Sequence, residues 1–180
     1  MTMKYTGSSD GASTTKREGT EEFSRLMAKR WGFKNLGTLV ARVMRSAPPE
    51  IQKLPLTDPR CIKWLSVHAT GRAGDSEYGK NAKLAKEVME WMVKNYKVLG
   101  IEEVHDYSGI TKAGCGEWGR GWRCSRNGKP AWKDWTAQDN GGTPKAKWIH
   151  WELSPEFADS KEKVHAAWTS LEDKPAAVGK

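Results

Sequence analysis

Three stretches, Glu117–Cys124 (EWGRGWRC), Ala131–Thr136 (AWKDWT) and Lys147–Leu153 (KWIHWEL), decide the fold class, because they hold six of the ten tryptophans in 180 residues. Each is the length of a strand, and the turn signals Asn127-Gly128 and Asn140-Gly141-Gly142 lie between them. That pattern predicts an antiparallel β-meander. Alternation puts Trp118, Trp122 and Cys124 on one face of its first strand and Ile149, Trp151 and Leu153 on one face of its third. Trp148 and His150 are left on the opposite side. Both faces then carry aromatic rings, and the one not covered by helix needs another element or a partner.

Helices are expected around this sheet. Glu21 and Glu22 favour the positive end of a helix dipole behind a Thr20 cap, with Phe23, Leu26, Met27 and Trp31 on one face and Gly32 as the stop. Leu36, Leu39, Val40, Val43 and Met44 recur at helical spacing before Pro48 and Pro49, which predicts the second helix of an N-terminal helical hairpin. Ala28 and Gly32, with the basic Lys34, Arg42 and Arg45, also raise a helix-turn-helix reading, against which Thr38 stands where a buried aliphatic residue is wanted. The most regular helix is expected from Asn81 to Leu99, with Leu84, Val88, Trp91, Met92 and Tyr96 along one side and Gly100 as its end. Ser160 caps a C-terminal helix bearing Val164, Ala167, Trp168 and Leu171. Cys61–His68 is a buried strand or a helical turn, and the Gly-rich Gly71–Gly79 reads as a mobile loop. The fold class is therefore α+β: a helical hairpin, a central amphipathic helix, a Trp-rich antiparallel meander and a C-terminal helix. Residues 1–19, poor in apolar side chains, are expected to be a flexible tail, residues 20–172 one domain, and residues 173–180 a frayed end.

Thirty Lys and Arg against 22 Asp and Glu give a net charge of +8, which favours polyanionic partners. Between Asp106 and His150 the bases Lys112, Arg120, Arg123, Arg126, Lys129, Lys133, Lys145 and Lys147 face only four acids. Interleaved with tryptophan, they suit nucleic acid, whose bases stack on exposed rings while cations meet its phosphates. The expected function is binding of single-stranded or non-specific nucleic acid, in a setting such as a phage, virus or plasmid. Its candidate residues are Trp118, Arg120, Trp122, Arg123, Arg126, Lys129, Trp132, Lys133, Lys147 and Trp148. A protein-binding adaptor or inhibitor presenting the aromatic sheet is the alternative.

Enzymatic chemistry is the less favoured class. Four histidines, His68, His105, His150 and His165, show no HxH, HExxH or HNH spacing, so no metal and no cofactor are expected. Cys115 with His105 or His150 would make a thiolate and base pair for a small hydrolase. His105-Asp106 and His150-Glu152 would supply acid and base groups to a nuclease. The stretch His105–Ile110 (HDYSGI) resembles the Asp-Cys-Ser-Gly turn of NlpC-type cell-wall peptidases, but Tyr107 stands where their nucleophilic cysteine would be. Cys61, Cys115 and Cys124 fit no disulfide framework, and neither a membrane span nor a cleavable signal is recognisable. The expected setting is the cytoplasm, with reduced thiols and no membrane partner.

Overall fold

A computed structural model describes residues 3–137, 139 and 143–172. In chain order they form α1 (Glu18–Trp31), β1 (Lys34–Gly37), α2 (Pro49–Gln52), two 3₁₀ turns (Pro59–Trp64 and Val67–Thr70) and β2 (Ala73–Glu77). There follow α3 (Ala82–Lys94), α4 (Tyr96–Leu99), β3 (Ile101–Asp106), β4 (Arg120–Arg126), β5 (Lys129–Asp134), β6 (Trp148–Leu153), α5 (Pro155–Ala158) and α6 (Lys161–Glu172). The six strands make one sheet in the order β1-β2-β6-β3-β4-β5, every neighbouring pair antiparallel. The class is α+β, as the sequence indicates.

Strand alternation divides the molecule. Val104 lies opposite both Trp151 and Trp122, so these three share a face with Cys124, Ile149 and Leu153. The long helices α1, α3 and α6 close over that face through Phe23, Met27, Val88, Met89, Met92, Val164 and Trp168. Phe23 anchors the layer, its ring centroid 4.7 Å from that of Trp151 and 5.4 Å from that of Trp168. Trp151 and Trp168 are both fully buried, and truncating either would remove about 3–5 kcal/mol of packing. No helix among the described residues is long and apolar enough to cross a membrane.

The central amphipathic helix forms as expected, except that its hydrogen-bond ladder breaks at Asn95, whose amide side chain donates to the Trp91 carbonyl at 2.8 Å. The C-terminal helix also forms, Ser160 Oγ accepting from the Lys163 amide. Several expectations need correction. The hairpin's second helix is absent: residues 34–37 pair with β2 as an edge strand, with Leu36 bulged between the paired Asn35 and Gly37 (φ 135°). Thr38 is buried there and hydrogen-bonds Glu21 of α1, so the helix-turn-helix reading falls with the helix. Gly71–Gly79 is no loop but contains β2, an interior strand. Its Gly74 leaves room for Trp151, since a Cβ there would come within 2.3 Å of the indole. The three Trp-rich runs are strands, but β6 sits between β2 and β3 instead of following β5, so the sheet is not a simple meander. α1 itself starts at Glu18, which leaves Thr20 buried in its first turn instead of capping it.

Residues 3–19, expected as a tail, run along the domain. The Thr6 amide and hydroxyl both donate to Glu102, and the Ser13 amide donates to the Ala69 carbonyl. The buried Arg72 guanidinium bonds Asp10, Glu102 and the Leu153 carbonyl. The expected frayed end, residues 173–180, and the Asn140-Gly141-Gly142 turn lie outside the described residues.

Candidate functional site

The face of the sheet turned away from the long helices carries charge where the other carries hydrocarbon. His105 lies opposite His150 across the β3–β6 ladder, and His150 lies opposite Asp75 across β6–β2. Alternation adds Glu103 and Glu152 to the same side. Residues 38–70 roof this face. They have a small core of their own, built from Ala47, Ile51, Cys61, Leu65 and Ala69, and are tied together by the Val43–Leu65 bridge. Hydrogen bonds from Met44 to Trp64 and from Ser66 to Arg42 hold the two legs of the roof in place.

Between roof and sheet lies a cavity of about 450 Å³. His68, Asp75, Glu103, His105, Tyr107, His150 and Glu152 line its interior, and Arg42, Arg45, Lys63 and Arg123 also border it. Tyr5, Trp135 and Trp148 supply aromatic wall. Among the described residues, Arg42, Arg45 and Lys63 have no carboxylate within ion-pairing distance. Gly121 lets the Trp135 ring lie flush on β4, since a Cβ there would come within 2.2 Å of the indole nitrogen. Trp135 in turn packs edge-on against His105, ring centroids 4.2 Å apart.

Two hydrogen-bonded chains cross the cavity. In the first, His150 Nδ1 stands 3.1 Å from Asp75 Oδ1 and 3.2 Å from His68 Nε2, while His68 Nε2 is also 3.2 Å from Asp75 Oδ2. The other nitrogen of His150 meets Glu152 Oε1 at 3.0 Å. Burial alone would push the His150 imidazole down, but its bonds to Asp75 and Glu152 outweigh that and raise its pKa to about 10. Burial likewise opposes the charge on Asp75, yet bonds from His150 and His68 hold its carboxyl well below the usual carboxylate range.

In the second chain, Glu103 bonds His105 Nε2 on one side and accepts from Arg123 Nε at 2.8 Å on the other. Burial disfavours the Glu103 carboxylate, but the His105 N–H and the Arg123 guanidinium beside it outweigh that and hold it ionised. His105 itself is shifted down by its burial, and its Nδ1 faces the Tyr107 hydroxyl at 3.4 Å. Burial raises the Tyr107 and Tyr5 phenols well above their ordinary value, so both stay protonated. Tyr5 lies under the Arg123 guanidinium, 4.2 Å from ring centroid to Cζ.

The ten residues expected to form one binding surface fall on both sides of the sheet. Trp122 is buried in the helix-side core against Tyr96, and Trp132 faces it across β4–β5 with the Arg120 guanidinium 4.5 Å above its ring. Arg123 and Trp148 border the cavity on the other side. Arg126 is half-buried and bonds the Gly121 carbonyl, Lys129, Lys133 and Lys147 are exposed, and Trp118 is half-buried in the loop before β4. Cys115 is not part of the cavity lining but packs against Gly109, where burial raises its thiol pKa and so opposes the thiolate a nucleophile needs. Asp106 is on the opposite face from His105, its carboxylate accepting from the amide and hydroxyl of Thr111. Of the paired acid and base groups legible in the sequence, His150-Glu152 is in the cavity as a pair, while His105 takes Glu103 as its partner. His68, Asp75, Glu103 and Tyr107 were not among the sequence candidates. The signal for Glu103 is the polar alternation Glu103-x-His105 in β3, matched by His150-x-Glu152 in β6, while no local pattern marks His68, Asp75 or Tyr107.

Comparison with family models, with curated proteins and with solved structures finds no match to this chain.

Proposed function

We propose that the cavity is a catalytic site that cleaves phosphodiester bonds in nucleic acid. The observation that carries this reading is the meeting of three imidazoles on one floor. The rings of His68 and His105 lie 4.9 Å and 4.7 Å from that of His150, each imidazole has a carboxylate against it, and the whole is buried. Enclosing so many ionisable groups costs several kcal/mol in desolvation per ion, and an apolar filling would serve stability as well or better. Such a cluster is a mark of chemistry.

The roles follow from position. Glu103 fixes the tautomer of His105 in which Nδ1 is the basic nitrogen, the arrangement a proton acceptor needs, and the Tyr107 hydroxyl beside it is a donor. Arg42, Arg45 and Lys63, without a paired carboxylate among the described residues, suit the phosphates of a strand, while Trp135 and Trp148 offer faces for bases. This keeps the nucleic-acid partner suggested by the charge of the chain but moves its centre to the roofed cavity, which only Arg123 and Trp148 of the ten expected residues border.

The test is incubation of the purified chain with labelled single- and double-stranded DNA and RNA oligonucleotides, with and without added Mg²⁺, Mn²⁺ or Zn²⁺. Salt-sensitive binding and cleavage are expected, with His105→Gln retaining binding and fold but losing cleavage. Oligonucleotides that are neither bound nor cut would remove this reading.

A further inference from the structure

We propose that His68, Asp75 and His150 bind one divalent transition-metal ion of the Zn²⁺ class. The site lies within the cavity assigned above to catalysis and would supply that reading with an electrophile, but the case for it stands on ligand geometry alone.

The spacing is the first argument. The three closest approaches among His68 Nε2, His150 Nδ1 and the Asp75 carboxylate are 3.2, 3.2 and 3.1 Å. Donor atoms about 2.0–2.2 Å from a common ion are about 3.0–3.5 Å from one another; the two imidazole nitrogens already stand at that separation, and each has one oxygen of the Asp75 carboxylate at it, Oδ1 for His150 and Oδ2 for His68. Without an ion the cluster is frustrated. Both nitrogens point at one carboxylate and also at each other, and if each carries a proton towards Asp75, two N–H donors meet across 3.2 Å. One cation replaces both protons and turns a conflict into shared ligation.

The surroundings match as well. A metal-bound imidazole commonly gives its second nitrogen to a carboxylate, which fixes its tautomer, and His150 Nε2 stands 3.0 Å from Glu152 Oε1. Asp75 and His150 are cross-strand neighbours in the middle of the sheet, and His68 comes from the 3₁₀ turn above them, so the three are positioned by elements that hold each other. Two buried polar atoms here lack a partner among the described residues, His68 Nδ1 and Glu152 Oε2. They mark the cluster as a place whose polar atoms are not satisfied by protein alone. Two imidazoles and one carboxylate select Zn²⁺, Fe²⁺, Co²⁺ or Mn²⁺ over the all-oxygen preference of Mg²⁺ and Ca²⁺. Three protein ligands beside a cavity leave a coordination position for water or substrate, the pattern of catalytic and not structural sites.

The experiment uses the full chain, stripped with chelator and dialysed, then titrated with Zn²⁺ by calorimetry and with Co²⁺ by visible absorption. One ion per chain is expected, with cobalt ligand-field bands and a raised melting temperature. Asp75→Asn and His150→Gln should lower affinity more than about 100-fold and abolish the bands. Glu152→Gln should weaken binding about 10- to 100-fold, and His105→Gln should bind as the wild type does. His68→Gln, at the edge of the cluster, serves as the ligand variant if those in the central strands do not fold. Absence of binding in the folded wild type, or equal binding by the folded ligand variants, would overturn the proposal. Zinc binding without oligonucleotide cleavage would leave the metal site standing and remove the phosphodiesterase reading; metal-independent cleavage without zinc binding would do the reverse.

Discussion

His150 Nδ1 stands 3.2 Å from His68 Nε2 although the two residues are 82 positions apart in the chain. The contact exists only because β6 inserts between β2 and β3 and because residues 38–70 fold back over the sheet. The architecture of the second face is thus inseparable from the site it holds, and three consequences can be measured.

The first concerns the glycine that lets the sheet close. Gly74 has the Trp151 indole where its Cβ would be, with three ring atoms within 2.3–2.8 Å of that position. Trp151 is fully buried and donates from Nε1 to Ser76 Oγ at 3.0 Å, so the ring has little freedom to retreat. Gly74→Ala should destabilise the fold by about 2–3 kcal/mol through overpacking. Denaturant unfolding of the single variants and of Gly74→Ala/Trp151→Phe should show a double variant less destabilised than the sum of its parts, because the smaller ring relieves the clash. Additive losses would mean that the two residues do not compete for space.

This same glycine explains how much of the fold the sequence reveals. The helices α1, α3 and α6 and the strands β4 and β6 carry apolar residues at a clear period, and periodicity finds them, while β5 is found from its Trp-rich run and the Asn127-Gly128 turn before it. β2 has no such period. Its helix-side positions are Gly74 and Ser76, chosen to accommodate a tryptophan from another strand, so the segment has the composition of a loop. In β3 the register shifts between Ile101 and Glu103, which places Glu102 and Glu103 side by side and blurs the alternation. The candidate site is hidden for a related reason. His68, Asp75 and His150 lie on three elements with no local spacing to give them away, whereas spacing rules detect ligands that share a helix or hairpin. What is legible is that His150 and Trp148 oppose Ile149 and Trp151, so the sheet has a second, non-apolar face.

The second prediction concerns acid stability. The Glu22 side chain is buried, and hydrogen bonds from Arg25, aided by His165, outweigh burial to hold its carboxyl at about 2 against an ordinary 4.5. A carboxyl whose pKa falls on folding binds its proton more readily in the unfolded chain. Its contribution is therefore complete above about pH 4.5 and disappears as pH falls towards 2. Arg25 is half-exposed, so solvent screening reduces the value of the pair to about 1 kcal/mol. Glu22→Gln should lower the melting temperature at pH 7 and flatten the loss of stability between pH 4.5 and 2. A variant whose stability falls with acid as steeply as the wild type's would show that other carboxylates govern this range.

The third prediction tests how the cavity meets its substrate. Arg45 is exposed at the cavity and pairs with no carboxylate among the described residues, unlike Arg123, which is bound to Glu103 and half-buried. A cation that serves an internal partner changes folding when removed; a free one changes only what the surface attracts. Arg45→Ala should therefore leave the melting temperature unchanged while weakening oligonucleotide binding uniformly across sequences. It should also reduce the slope of log affinity against log salt by about 1, the loss of a single phosphate contact. Arg123→Ala should instead destabilise the fold, because it strands Glu103 as a buried charge beside His105 with one partner fewer. Fluorescence anisotropy over a salt series, run beside thermal melts of both variants, separates the two behaviours. An Arg45→Ala slope equal to that of the wild type would place the phosphate path elsewhere on the molecule.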